Sequence, residues 1–340
     1  MSQPVSEASA PIDDNLDDPF DVWFAPSIDP KRLRTLMRRD DLHGILFFLA
    51  WLILCAAGVT LVVMTRATAW LWATMLLYGI LLCFAYAASH ECAHGTAFRS
   101  RWLNEAVFWI TSVVFIEEPL YRRYSHASHH THTWFNGSDP QKPYGNPLTL
   151  TYYLFYTLGV SFYRDAASQL LRHARQRFTK EELAFLPPSE RAKVARNSRI
   201  MMAIYLGLIL GGVVLSSSLP FILYFLPRQL GSWVVTAYIN TQHMCMAEDL
   251  HDHRQTTRSI HCNTLERLLY WNMNHHIEHH LFPSVPFHAL PRLNAEIRTQ
   301  LPSPSAGVVA ANVEIWTAIL KQRRDPGFNL SHGPMHRAIS

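Results

Sequence analysis

Apolar and polar positions along this chain fall into long separate blocks. The first apolar block, "LHGILFFLAWLILCAAGVTLVVM", runs from Leu42 to Met64 without a lysine, arginine or carboxylate. A short "TRAT" leads into a second, "AWLWATMLLYGILLCFAYAAS", from Ala69 to Ser89. Each is longer than the ~20 residues an α-helix needs to cross a bilayer core. The tiny connector makes them an antiparallel hairpin. A third block extends from Met201 to about Thr241, with "SSSLP" at 216–220 as a turn, and predicts a second hairpin. Pro227 and Arg228 interrupt its second half. An arginine at membrane depth is costly unless it snorkels to the interface or lines a cavity. The spans are therefore expected at about 42–64, 69–89, 200–217 and 219–241.

The remaining pattern surrounds these hairpins. Residues 102–116 and 148–163 are apolar but short and rich in aromatics, as in helices lying at an interface. Residues 164–199 are polar and basic and read as an exposed segment. Residues 1–30 carry Glu7, Asp13, Asp14, Asp17, Asp18 and Asp21 with no lysine or arginine, which predicts a mobile acidic tail and no secretory signal. A domain at 31–300 holds the spans, and 301–340 reads as a C-terminal tail. Lys31, Arg32, Arg34, Arg38 and Arg39 precede the first span, and Arg99, Arg101, Arg122 and Arg123 follow the second. Basic residues concentrate on the cytoplasmic side. The expected fold is an all-α integral membrane protein, with four transmembrane helices in two hairpins. A helical cytoplasmic cap, residues 95–199 and 243–300, sits on the inner face of a bacterial inner membrane.

Composition agrees. Charged residues make up 16 %, against roughly 25 % in globular chains. Ten Trp and thirteen Tyr suit two membrane–water interfaces. A net charge of +4, with no basic run interleaved with aromatics, argues against nucleic-acid binding. The five cysteines, at 55, 83, 92, 245 and 262, contain no CxxC and read as buried thiols.

The nineteen histidines are the outlier. His90 and His94 stand four apart at the end of the second span. His126, His129 and His130 are spaced i, i+3, i+4, and His276, His279 and His280 repeat that spacing. On a helix such neighbours lie about 5–6 Å apart on one face. By the topology above, all three clusters share one side of the membrane. Eight imidazoles brought together repel if protonated and are poorly solvated if buried neutral, and metal coordination resolves both problems. A zinc site takes four ligands or fewer, so eight point to two metals with positions left for dioxygen and substrate. Imidazole suits Fe, Zn, Cu and Ni alike; two redox metals beside a bilayer favour iron. The alternative is a zinc protease, because "HECAH" is an H-E-x-x-H motif with Glu91 as base. It leaves six clustered histidines unexplained.

The boxes "HECAH", "HASHH" and "HHIEHH", the last within "NMNHHIEHHLFPSVPFHALP", resemble those of the membrane fatty acid desaturases and their hydroxylase relatives. The resemblance covers roughly residues 40–300. It implies a mainly helical fold with four spans and a cytoplasmic cap holding two non-haem irons. It also implies O2-dependent C–H abstraction with electrons from a separate ferredoxin or cytochrome b5. Carried over by position, the ligands are His90, His94, His126, His129, His130, His276, His279 and His280. A further family ligand after the last span corresponds to His243, and Asn240 is a candidate for a water-mediated contact. Glu248, Asp249 and Asp252 are candidates to orient histidine N–H groups. His132, His251, His253, His261 and His275 are expected outside the ligand set. Arg172, Arg175, Arg177, Lys193 and Arg196 form a candidate docking face for an acidic donor. The implied activity is desaturation of a fatty acyl lipid or thioester. Hydroxylation, and desaturation of a small amino-acid-derived metabolite, remain the alternatives.

Overall fold

A computed structural model describes residues 23–331. Residues 1–22 and 332–340, and with them most of the expected acidic tail, lie outside the described residues. Among the described residues there is no strand, only one isolated bridge between Ile260 and Ser305.

Helix α1 (Pro30–Leu36) leads into α2 (Leu42–Thr65), the first long apolar helix. Helices α3 (Leu71–Cys83) and α4 (Ala85–His94) form the second, broken only at Phe84. Their hairpin is tied at one end by a 2.7 Å contact between the Thr65 and Thr74 hydroxyls. At the other end, Asp41 accepts from Ser100 N and Oγ, and Arg39 donates to the Gly95 carbonyl. The start of α2 and the segment that follows α4 therefore meet at the end opposite the connector. Next come α5 (Arg101–Phe115), α6 (Pro119–Thr131), α7 (Leu150–Thr157), α8 (Phe162–Ala174) and α9 (Lys180–Phe185). The stretch read as an exposed polar segment, 164–199, is thus ordered helix with buried Leu170, His173, Glu182 and Val194. Its polarity concealed a buried ion-pair group, in which Arg172 and His173 hold Glu182.

Helix α10 (Pro188–Val214) starts before its apolar part and is the third long apolar helix. A turn over 215–218 leads to a π-helical segment, Phe221–Phe225, continuous with α11 (Leu226–His243). Among the described residues, three helices are long and apolar enough to cross a membrane: Leu42–Thr65, Leu71–His94 and Pro188–Val214. The expected fourth span corresponds to the π segment plus α11, whose run of apolar residues is cut by Pro227, Arg228 and Gln229. Only 22 % of the apolar windows in the first and third is buried by protein, against 56 % in the second. Leu42, Ile53, Leu206, Val213 and Val214 point outward, as lipid-facing side chains do. The inner second helix packs on α11 at very short range. A Cβ on Gly79 would lie 1.8 Å from the Pro227 carbonyl oxygen, and one on Gly231 would lie 2.0 Å from the Gly79 carbonyl carbon. Two facing glycines let these backbones touch.

Short helices α12 (His253–Thr256), α13 (Thr264–Leu269), α14 (His276–Leu281) and α15 (Leu290–Ile297) complete the region around the histidines. The segment read as a tail contains α16 (Val308–Gln322). It buries Ile315, Ala318 and Ile319, and Asn312 donates to the Ala237 carbonyl of α11. All five cysteines are free, and four are buried.

Candidate metal centre

Four elements deliver the nine predicted histidines to one place. Helix α4 carries His90 and His94 on its last two turns and stops at Gly95, whose φ of 67° is left-handed. Helix α6 starts at Pro119, capped by Glu118 accepting from Leu120 N and Tyr121 N, and carries His126, His129 and His130. His243 ends α11. Six-residue α14 is buried at five positions, including His276, His279 and His280.

The nine rings form two adjoining groups. His90, His94, His126, His130 and His279 each offer a nitrogen within 4.8 Å of the others, and so do His129, His243 and His280. His276 joins the second group, with Nε2 3.0 Å from that of His243 and 3.2 Å from that of His280. In the first group, Nε2 of His90 lies 2.8 Å from that of His279 and 3.1 Å from that of His126. The groups touch where the rings of His130 and His280 stack at 4.1 Å.

The donor set fits metal ions. His243 Nδ1 donates to the Thr256 carbonyl at 2.9 Å, which leaves its Nε2 with a lone pair. His129 Nδ1 donates to Asp139 at 2.8 Å, with the same result. Thr133 Oγ1 meets His280 Nδ1 at 3.2 Å, and the Gln141 amide meets His126 Nδ1 at 3.2 Å. Lone pairs aimed at one another across about 3 Å repel unless a cation lies among them. Burial, reinforced by neighbouring imidazoles and the Arg122 charge, holds His126 well below the usual histidine pKa; burial and neighbouring imidazoles do the same for His130, His276, His279 and His280. Neutral imidazole is the form that binds metal.

The surrounding residues differ from expectation in part. Glu248, Asp249 and Asp252 do not orient ring nitrogens of the nine. Glu248 holds Lys142 and Asn146, Asp249 holds Asn136, and Asp252 holds Arg254. Nearby cations and amides in folded loops took these carboxylates. The orienting carboxylate is Asp139, which also accepts from Trp134 N and Gln141 N. Its one sequence signal is a turn, "NGSDP", shortly after the second box. Asn240 donates to Thr157 Oγ1. His275 pairs with Glu278, His132 is exposed and bonds the Ser128 carbonyl, and His261 is exposed. His251 packs against Trp23 and Phe135. His253 is buried under Trp23, 5.1 Å from the His280 ring. Glu91 is fully buried, 3.7 Å from His279 Nδ1, and accepts from Thr96 Oγ1.

A cavity of about 600 Å³ opens against His90, His126, His243 and His276. Tyr152, Tyr156, Phe115 and Phe162 line it, together with Glu117, Arg122 and Arg228. Arg228 is buried and donates to the Phe115 carbonyl, and its guanidinium lies 3.6 Å from the Phe162 ring centre. The arginine that interrupts the last apolar block thus lines a cavity and does not face lipid.

Helices long and apolar enough to cross a membrane, beside a buried double cluster of imidazoles able to hold metal, define the class: an all-helical protein of membrane type with a candidate metal centre. The sequence model of the family "Fatty acid desaturase" matches residues 67–310. The chain belongs to that family, which is known for di-iron sites and carries oxidoreductase chemistry of the desaturase and hydroxylase type. No curated protein matches the chain.

Proposed function

We propose that this protein is an O2-dependent membrane di-iron desaturase that introduces a C=C bond into an aliphatic chain, most simply that of a fatty acyl lipid or thioester. The observation that carries the reading is the pair of buried imidazole groups forming one wall of the 600 Å³ cavity. Five histidines would hold one iron (His90, His94, His126, His130, His279) and four the other (His129, His243, His276, His280). Two irons bound there would supply dioxygen activation and the power to remove hydrogen from an unactivated carbon. Asp139 and the Thr256 carbonyl keep the Nε2 atoms of His129 and His243 free to ligate. The aromatic wall of Phe115, Tyr156 and Phe162 excludes water from the chain and fixes which carbon faces the histidines. Removing two hydrogens while reducing O2 to two waters requires two further electrons and two protons. A separate acidic ferredoxin or a cytochrome b5 is the proposed source, docking on the cytoplasmic face. Of the basic residues there, Arg172 and Lys193 are already paired with Glu182 and Glu190, which leaves Arg175, Arg177 and Arg196 as the better anchors. A protease reading fits poorly, since Glu91 is sealed away from the cavity and faces a histidine.

Expression in a host of simple lipid composition, followed by lipid and metabolite mass spectrometry, tests the proposal. A product lighter by two hydrogens supports desaturation, a gain of one oxygen means hydroxylation, and no O2 consumption refutes both. A second reading, a polar or acid-bearing substrate, is favoured by Arg122 and Arg228 in the cavity wall. Neither Arg228 Nε nor Nη1 has a hydrogen-bond acceptor. Arg228→Met is expected to weaken binding of dodecanoate by about tenfold or more and leave dodecanol unaffected. Equal loss for both refutes this reading.

A further inference from the structure

Away from the nine histidines, Asp40, His43 and His288 bring together one carboxylate oxygen and two imidazole nitrogens, all within 4.8 Å. Asp40 lies in the turn between α1 and α2, and His43 opens α2. His288 sits in a short 3-10 turn, Phe287–Ala289, before α15. The Asp40 Oδ2 atom is the common vertex, 2.8 Å from His43 Nδ1 and 3.4 Å from His288 Nε2. The two rings stack, with 4.4 Å between centres and planes 14° from parallel, so the half-exposed His43 ring has to turn for both in-plane lone pairs to meet one ion.

His288 is the unpartnered member of the three. Its side chain is 5 % exposed, yet neither ring nitrogen has a hydrogen-bond partner. A buried neutral imidazole needs a partner for its N–H and another for its lone pair. The Asp40 oxygen sits close to Nε2 without hydrogen-bond geometry, already engaged by His43. A divalent ion bound at about 2.0–2.2 Å from each ligand places those ligands about 3.3–3.5 Å apart; Asp40 and His288, at 3.4 Å, already meet that, while Asp40 and His43, at 2.8 Å, have to open slightly. His43 and Asp40 are 48 % and 39 % exposed, so both can adjust by tenths of an ångström, and water can fill a fourth position. Two nitrogens and one carboxylate oxygen are a borderline donor set, suited to zinc and its neighbours and not to calcium or magnesium.

We propose that Asp40, His43 and His288 form a separate structural site for one zinc-like divalent ion. The ion staples the start of the first apolar helix to the segment that follows the third histidine cluster. That segment already packs there. Phe287 meets Phe47 at 4.9 Å and Trp271 at 4.4 Å, while Leu36 of α1 joins the cluster of Val285, Ala289 and Leu290. The staple therefore limits movement of α14, which bears His276, His279 and His280, and it is independent of the reaction the protein performs.

The test uses the full chain in detergent with its resident metals counted first. Zn2+ is added in steps against a chromophoric chelator, and metals per chain are counted by mass spectrometry. The wild-type protein is expected to take up one further zinc without losing resident metal, and to unfold at a higher temperature as it does so. His43→Ala keeps the resident metal but, with a direct ligand removed, binds the further zinc at least about tenfold more weakly and loses the thermal shift. Asp40→Ala and His288→Gln do the same. If His288→Gln fails to fold, the half-exposed His43 decides the question alone. No extra zinc in the wild type, or equal uptake by His43→Ala, overturns the proposal.

Discussion

Asp139→Asn isolates the part of the metal centre that no histidine spacing discloses. The carboxylate is buried and takes three donors, His129 Nδ1, Trp134 N and Gln141 N, each at 2.8 Å. The amide has nearly the same shape but only one acceptor oxygen. Placed with its nitrogen toward His129, it makes Nδ1 an acceptor, moves the ring proton to Nε2 and removes His129 as a ligand. It also sets an N–H against Trp134 N–H. Placed the other way, it leaves Gln141 N–H without an acceptor, at about 1–3 kcal/mol. Loss of such an orienting partner lowers metal affinity about 10–100-fold, or roughly 1.4–2.7 kcal/mol. The assay is metal content of the purified full chain against increasing chelator, with helicity followed by circular dichroism. One of two metals should leave at a tenfold or greater lower chelator concentration, with helicity retained. Asp249→Asn, at a carboxylate that serves Asn136, should leave the curve unmoved. An identical chelator midpoint for Asp139→Asn would refute the orienting role.

The other predictions address packing, pH and topology. Gly79→Ala drives a Cβ into the Pro227 carbonyl and should cost about 1–3 kcal/mol or more, read as a lower unfolding midpoint in detergent; Gly207→Ala, with nothing within 4 Å of the new Cβ, should be near neutral. Glu182 is pushed up by burial but pulled down further by His173 and Arg172, to about 2 from 4.5. Its folded value is depressed, so its contribution is full above pH 4.5 and is lost as pH falls through about 2. That is at most about 3 kcal/mol, and less because Arg172 is partly exposed. The stability gap between wild type and Glu182→Gln should close over that window, and a gap constant with pH would count against the assignment. Arg66→Cys and Glu190→Cys should react with a membrane-impermeant thiol reagent from opposite sides. Labelling of both from one side would overturn the topology.

Much of this site was legible from local pattern. The i, i+3, i+4 spacing of His126, His129 and His130, and of His276, His279 and His280, is a property of helical periodicity alone. So is the length of the apolar run from Leu42 to Met64. Residue type and spacing along one helix suffice for both, because neither depends on what another segment does. The pairing of His129 with Asp139, the approach of His43 to His288 across 245 residues, and the packing of Gly79 on Pro227 depend on how distant segments meet. Glu248, Asp249 and Asp252 read as candidates to orient histidine N–H groups, yet folded loops hand them to Lys142, Asn136 and Arg254. Arg228 reads as a break in an apolar block, and only the placement of Phe115 and Phe162 turns it into a cavity wall. Helical phase is encoded within a few residues. Which carboxylate reaches which imidazole is decided by the energetics of burying every polar group in the whole chain at once.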